Sequence, residues 1–243
     1  MTSPSSLYWG NDLMNTWSWK VALLVACVAA SNALAAQPEP AHAIPDWHAT
    51  VRQFARNHFR NPAWGFSHCE RDYVLARSLA SADHVVLDDD VLFAAAYLHD
   101  IAAFKPWGGG DEPPDHSDLG AEVVGSVLND TGFPMHKLDA VRAAIRTHMY
   151  YRDPVAPEAV YLHDADALDW LGAIGVERII ALADPNGGDP DGPKVVKMLE
   201  ENLAKVPPRV VSPAGRALVG SRQRELNVFL EELKRESANY RNL

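Results

Sequence analysis

Apolar residues recur along most of the chain at three- and four-residue steps, the period of an amphipathic helix, and no stretch of useful length alternates as a half-buried strand does. Trp47, Val51, Phe54, Ala55 and His58 share one stripe and predict a first helix over 46–59, with Asp46 as N-cap after Pro45 and Asn61-Pro62 as its break. Ser67 can cap a second helix, on which His68, Asp72, Leu75, Leu79 and Ala82 line one face. A third begins near Asp88 to Asp90, acidic residues suited to the positive end of a helix dipole, and runs through an unbroken apolar stretch, 91–98, to His99-Asp100. A helix that is apolar all round is a buried one.

Phe104 to Pro114, with Pro106, three consecutive glycines and Pro113-Pro114, reads as a loop that delivers Asp115-His116 to the head of a helix ending near Leu128. Leu138, Val141, Ile145 and His148 form the next stripe. Pro157 then suits the first turn of a helix carrying Tyr161 to Trp170, which Gly172 and Gly175 loosen. Asp184 to Pro193 reads as an exposed loop, and Pro207-Pro208 sets off a final helix, roughly Ala214 to Ser237. The expectation is an all-α fold: one helical bundle over 37–243, with no second domain and no internal repeat.

Residues 1–36 depart from this pattern. Lys20 precedes an apolar run, 21–30, too short to span a bilayer, and Ala33-Leu34-Ala35 supplies the small residues a signal peptidase needs. The segment predicts a signal peptide removed after Ala35 or Ala36, with Met14 as an alternative start, and hence an exported, periplasmic protein without a membrane span. Leu24-Val25-Ala26-Cys27 also resembles a lipobox, in which Cys27 would carry a lipid. Once the leader is removed, only Cys69 remains, so no intramolecular disulfide is available and stability must come from packing.

The formal charge of −10 argues against nucleic acid or an anionic membrane as partner, and no Lys/Arg cluster argues otherwise. If the substrate is a phosphate, a metal must supply the positive potential. His68, His99-Asp100 at the end of a buried helix, and Asp164 and Asp166 point to such a metal, because a buried carboxylate beside an imidazole is costly without a cation. Imidazoles with carboxylates and no second cysteine suit Mn²⁺, Fe²⁺, Co²⁺, Mg²⁺ or Zn²⁺ with open coordination positions, not a structural zinc site. Asp164 and Asp166 differ by about 200° around a helix, so only one of them can face a given ion.

Taken together, His68, Tyr97-Leu98-His99-Asp100 and Asp164-Ala165-Asp166-Ala167-Leu168-Asp169 resemble the HD superfamily of metal-dependent phosphohydrolases. His68-Cys69-Glu70-Arg71 looks like its His-x-x-Arg, Asp166 to Gly175 is similar to a pyrophosphohydrolase-like branch, and His116 and His148 fall where many members have extra histidines. The resemblance implies that His68, His99, Asp100 and Asp166 bind the metal, with Asp100 also orienting the nucleophile; with Asp166 as the ligand, helical geometry turns Asp164 away. It implies that His116 and His148 hold a second metal or the substrate phosphate, and it makes Arg71 a candidate substrate contact as well as a candidate inter-helix ion pair. The chain departs from the pattern at Trp64, where some relatives carry a histidine, at Asp72, where an apolar residue is common, and at Ile101-Ala102-Ala103-Phe104, where a glycine and a basic residue often follow.

Three functions follow. The first is hydrolysis of a phosphoester or phosphoanhydride of a small phosphorylated substrate, such as a nucleotide, by metal-activated water. A non-catalytic protein that holds metal or nucleotide is the second, and the departures at Trp64 and after Asp100 favour it. The third is a di-iron oxygenase on the same scaffold, which needs His116 and His148 as additional ligands.

Overall fold

The computed structural model describes residues 46–108, 115–183 and 192–243. The predicted leader, the glycine stretch of the 104–114 loop and most of the 184–193 loop lie outside these residues. Among the described residues there are nine α-helices, three single 3₁₀ turns and no strand. The unit spanning Ala43–Leu243 holds all of them.

Helix α1 (Trp47–His58) starts as the sequence indicates, with the Asp46 carboxylate accepting from the His48 N–H. Helix α2 (Phe66–Ala82) does not start at a Ser67 cap. Its N-cap is Gly65, which makes no side-chain cap bond. The Asn61 side chain accepts instead from the N–H groups of Ala63 and Trp64, and this turn presses Gly65 against the preceding backbone. A Cβ there would stand 2.2 Å from the Asn61 carbonyl oxygen, so a close approach rather than a hydroxyl sets the helix start.

Helix α3 (Asp89–Leu98) is capped by Asp88, which accepts from the N–H groups of Asp90 and Val91. Every residue from Val91 to Leu98 is buried, as a helix apolar all round requires. It is the central element: α2 and α5 (Leu138–Arg146) pack on it most extensively, with α1 and α6 (Pro157–Asp169) also against it. Helix α4 (His116–Leu128), capped by Asp115, lies against α5 and against the 3₁₀ turn Ile101–Ala103 that follows α3.

Helix α6 packs chiefly on α2. It is not loosened into a continuation: the chain leaves helical geometry at Trp170 and re-enters at Gly172, whose φ of +65° suits glycine, to begin α7 (Gly172–Ala183). Helix α8 (Gly192–Lys205) packs on α7, and α9 (Pro213–Glu236) packs on α7 and α6 with Leu226 fully buried. Large apolar side chains from these elements, among them Leu92, Leu98, Leu128, Ile145, Leu162, Leu168 and Leu199, are wholly enclosed in one continuous core. Their packing fixes the helix ends that carry the polar residues described next.

Candidate metal centre

Five segments bring imidazoles and carboxylates to one point inside this core. His68 comes from the first turn of α2, His99 and Asp100 from the end of α3, His116 from the head of α4, His148 from just beyond α5, and Asp166 from α6. His68, His99, His148, Asp100 and Asp166 are buried, and His116 is the more open member, with 28% of its side chain exposed.

The backbone orients the imidazoles. His99 Nδ1 lies 2.9 Å from the Ala96 carbonyl and His148 Nδ1 2.6 Å from that of Ile145, each a helical turn back, while His68 Nδ1 lies 2.9 Å from Asp169 Oδ2. A ring whose Nδ1–H is donated outward presents Nε2 inward, as ligating histidines do. The three Nε2 atoms duly point into the cluster, each free to carry a lone pair toward a metal or, in its absence, a proton.

Donor separations fit one small cation. His68 Nε2 is 3.2 Å from His99 Nε2, 3.3 Å from Asp166 Oδ1 and 3.6 Å from Asp100 Oδ2, and His99 Nε2 is 3.3 Å from Asp100 Oδ2. Ligands at about 2.1 Å from one ion stand about 3.0 Å apart at right angles and about 3.4 Å apart in a tetrahedron. Asp166 Oδ2 and both oxygens of Asp72 are moreover buried with no hydrogen-bond partner, a state that buried polar atoms rarely tolerate. The residues present therefore fit a divalent ion.

The other oxygen of Asp100 faces a second group of donors. Oδ1 lies 3.4 Å from His116 Nε2 and 3.6 Å from His148 Nε2, which are 3.3 Å from each other. Asp100 thus touches both groups, one with each oxygen.

Electrostatics follow from burial set against these neighbours. Burial and Arg178 work against a proton on His68, but Asp72, Asp166 and Asp169 outweigh them and raise it to about 10. Burial lowers His99. For Asp100 burial acts upward, yet His99, His116 and His148 hold it well below the usual carboxylate range; for Asp166 the same contest, with His68 and Arg178 opposing burial, ends at about 2. Asp100 raises His116 against its own burial. Without an ion, two effects limit the negative charge of the cluster: the carboxylates hold a proton on His68, and burial pushes Asp72 well above the usual carboxylate range.

A cavity of about 270 Å³ opens beside the donors, lined by Trp64, Asp100, Ala103, His116, Met149, Asp166, Trp170 and Arg178. Arg178, on α7, is almost wholly buried: its guanidinium lies 3.2 Å from Asp169 Oδ2 and 3.7 Å from the centre of the Trp170 ring. Asp169 is the hub of this corner. It accepts from His68, from Arg178 and, through both Nε and Nη2, from Arg71.

Residues 65–171 match the family model of the HD domain. The chain carries an HD domain. Among solved structures, it is similar to Bacillus subtilis YpgQ in complex with ADP, at 22% identity over 78% of this chain and 97% of that one, with a TM-score of 0.59. A predicted HD-superfamily hydrolase from an uncultured Thermotogales bacterium shares 25% identity over 77% of this chain and 91% of its own, with a TM-score of 0.54. An HD-superfamily hydrolase from Bacillus thuringiensis shares 22% over 78% and 94%, with a TM-score of 0.56. No curated protein matches the chain. Its fold is that of the HD-superfamily hydrolases, and its buried His/Asp cluster is one that can hold a divalent metal.

Of the residues singled out from the sequence, His68, His99, Asp100 and Asp166 meet in one group, with His116 and His148 beside them. Asp164 is turned away: its carboxylate accepts from the N–H groups of Val211 and Ser212, at 2.8 and 2.6 Å, ahead of α9. His163, on the same helix, is also turned away from the cluster: its ring nitrogens lie 3.0 and 3.1 Å from the carbonyl oxygens of Thr147 and Arg209. Arg71 is engaged with Asp169 and lines a separate cavity of about 440 Å³ with Glu70 and Arg222, so the inter-helix ion pair is the role the geometry gives it. Sequence reasoning missed Asp169, Arg178 and Asp72 as parts of the site. The signals were three- and four-residue spacings, Asp166 to Asp169 and His68 to Asp72, which put both carboxylates on the faces already assigned inward; nothing marked Arg178.

Proposed function

We propose that this protein is a metal-dependent phosphohydrolase that cleaves a phosphoester or phosphoanhydride of a small molecule, nucleotides being the first class to test. The observation that carries the reading is the convergence of His68, His99, Asp100 and Asp166 beside a cavity that Asp100 and Asp166 line and that is large enough for a phosphoryl group and part of its leaving group. A divalent ion held there lowers the pKa of water and offsets charge on phosphoryl oxygens.

The chain's own residues supply the rest. Asp100, ionised and in contact with both donor groups, orients the attacking water by accepting a hydrogen bond from it, and the proton the water gives up passes to solvent. Hydrolysis joins the water oxygen to phosphorus, breaks the bond to the leaving oxygen and returns a proton to that oxygen. His116, the most open imidazole on the cavity wall, is placed to return it, or serves with His148 as ligand to a second ion. Arg178 is the one cation among the described residues lining the cavity, held in place by Asp169 and available to the phosphate. Trp64, Met149 and Trp170 offer walls suited to a planar or apolar group, and the ADP bound by YpgQ makes adenine nucleotides a reasoned starting point.

Phosphate or pyrophosphate release from nucleoside phosphates and simple phosphoesters with Mn²⁺, Co²⁺ or Mg²⁺ tests the reading. Turnover lost in Asp100→Ala supports it. Metal uptake with no hydrolysis across the panel overturns it in favour of a binding protein. A second reading, a di-iron oxygenase, draws on the contact of Asp100 with both donor groups; tightly bound iron with oxygen consumption would establish it. We also read residues 1–36 as an export signal placing the protein in the periplasm, and a cell-derived protein that keeps its N-terminus in the cytoplasm would refute that.

A further inference from the structure

Asp72 stands one helical turn after His68 on α2, is completely buried, and belongs to no hydrogen bond. Its Oδ2 lies 3.2 Å from His68 Nε2 and 3.7 Å from His99 Nε2, against 3.2 to 3.6 Å among the other donors. Donor atoms of His68, Asp72, His99 and Asp166 all lie within 4.8 Å of one another. Residues four apart on a helix share one face, so His68 and Asp72 form a two-point chelate projected from a rigid element. Without a hydrogen bond, the charge of Asp72 is compensated only while the His68 ring beside it carries a proton, or when a cation takes that proton's place. The nearby guanidinium makes no ion pair with it, since Arg178 is directed to Asp169 and Asp166.

We propose that Asp72 is a protein ligand of the metal, binding the same ion as His68, His99 and Asp166, so that the site holds one carboxylate more than its sequence pattern announces. The proposal rests on the metal reading of the cluster. It explains why an acidic residue occupies a position where the resemblance leads one to expect an apolar side chain. The added negative charge favours hard, oxygen-seeking ions such as Mn²⁺ or Fe²⁺ over Zn²⁺. It also leaves fewer coordination positions open to water and substrate.

The test compares wild type, Asp72→Val and Asp72→Asn, each first stripped of metal by a chelator and then titrated with Mn²⁺ by calorimetry. Thermal unfolding is followed in both states. Removing a ligand is expected to weaken Mn²⁺ binding at this site by about 100-fold, the upper end of what loss of a mere supporting hydrogen bond produces. The rise in Tm that saturating Mn²⁺ gives should also be much smaller in Asp72→Val than in wild type, each variant being compared with its own metal-free state. A residue with only a packing role would shift both states the same way. Unchanged affinity and stoichiometry in Asp72→Val, with wild type binding normally, would overturn the assignment and leave the metal centre standing. No Mn²⁺, Fe²⁺ or Co²⁺ uptake by the wild type would overturn both.

Discussion

Replacing Asp169 by alanine removes the group on which the edge of the site depends. Its carboxylate, 2% exposed, accepts from His68 Nδ1 at 2.9 Å, from Arg71 Nη2 at 2.8 Å and from Arg178 Nη1 at 3.2 Å. Arg71 is partly exposed and can turn to water, so its loss costs little. Arg178 cannot. Its side chain is 1% exposed, and removal of Asp169 leaves it only the more distant Asp166 Oδ1, at 3.8 Å; stripping a buried cation of its close partner typically costs about 3–5 kcal/mol. For a chain of this size, about 4 kcal/mol corresponds to a fall in Tm of about 8–16 °C. Urea and thermal unfolding of the metal-free protein give the stability, and Mn²⁺ titration gives a separate reading, since the freed His68 ring should bind about 10–100-fold more weakly. Adding Arg178→Met to Asp169→Ala is expected to restore most of the stability by removing the unpaired charge, but none of the metal affinity. An Asp169→Ala protein within about 1 kcal/mol of wild type, or a double variant no more stable than the single one, would refute the reasoning.

Other outcomes follow from the same geometry. Asp164→Ala leaves the buried N–H of Ser212 and the partly buried N–H of Val211 without acceptors and is expected to cost about 2–3 kcal/mol in urea unfolding while leaving Mn²⁺ affinity unchanged. His148→Ala and His116→Ala should leave one ion bound per chain by elemental analysis, whereas His99→Ala should abolish that ion. His68, held at about 10 without metal, must lose its proton to bind, so calorimetry at pH 7 in Tris and Hepes should show at least one proton released per ion, and affinity should climb with pH. The same raised value fixes the sign for the metal-free protein: the stability that proton contributes is full below about 6.5 and disappears as pH rises through about 10, so its Tm should fall over that window.

How far the sequence reveals this arrangement depends on whether a feature is local. Helices α1, α3, α4 and α9 are legible to within one or two residues, because Asp46, Asp88 and Asp115 cap their own helices and the apolar period does the rest. Helix α2 begins at Gly65 and not at Ser67 because a backbone contact with Asn61, invisible in a propensity argument, sets the turn. The stop between α6 and α7 turns on Gly172 at positive φ, and α8, with Val196, Leu199 and Leu203 at helical steps, is hidden behind a glycine- and proline-rich stretch. His68, His99, Asp100 and Asp166 can be found by spacing and resemblance. Arg178 cannot: in Gly172–Ala183 it reads as the polar face of an amphipathic helix, and only the packing of α7 beside α6 turns that face onto Asp169 and Trp170.

The position of Asp100 bears on both reactions considered. It follows a helix in which every residue from Val91 on is buried, so its backbone has little freedom to move when ions enter or leave. Three of the four imidazoles around it are fixed independently, two by carbonyls of their own helical turns and one by Asp169. A site held this way does not need to reorganise on metal binding beyond closing its donors by a few tenths of an ångström, and that preorganisation is what electrostatic stabilisation of a phosphoryl transition state requires. It also means that the number of ions is set by charge more than by space. Three carboxylates, Asp72, Asp100 and Asp166, balance one divalent cation with one negative charge remaining, and the open side of Asp100, facing His116 and His148, is where that charge draws either a second ion or a protonated imidazole. Neutralising Asp72 should therefore weaken the second site as well as the first, although Asp72 belongs only to the first group of donors.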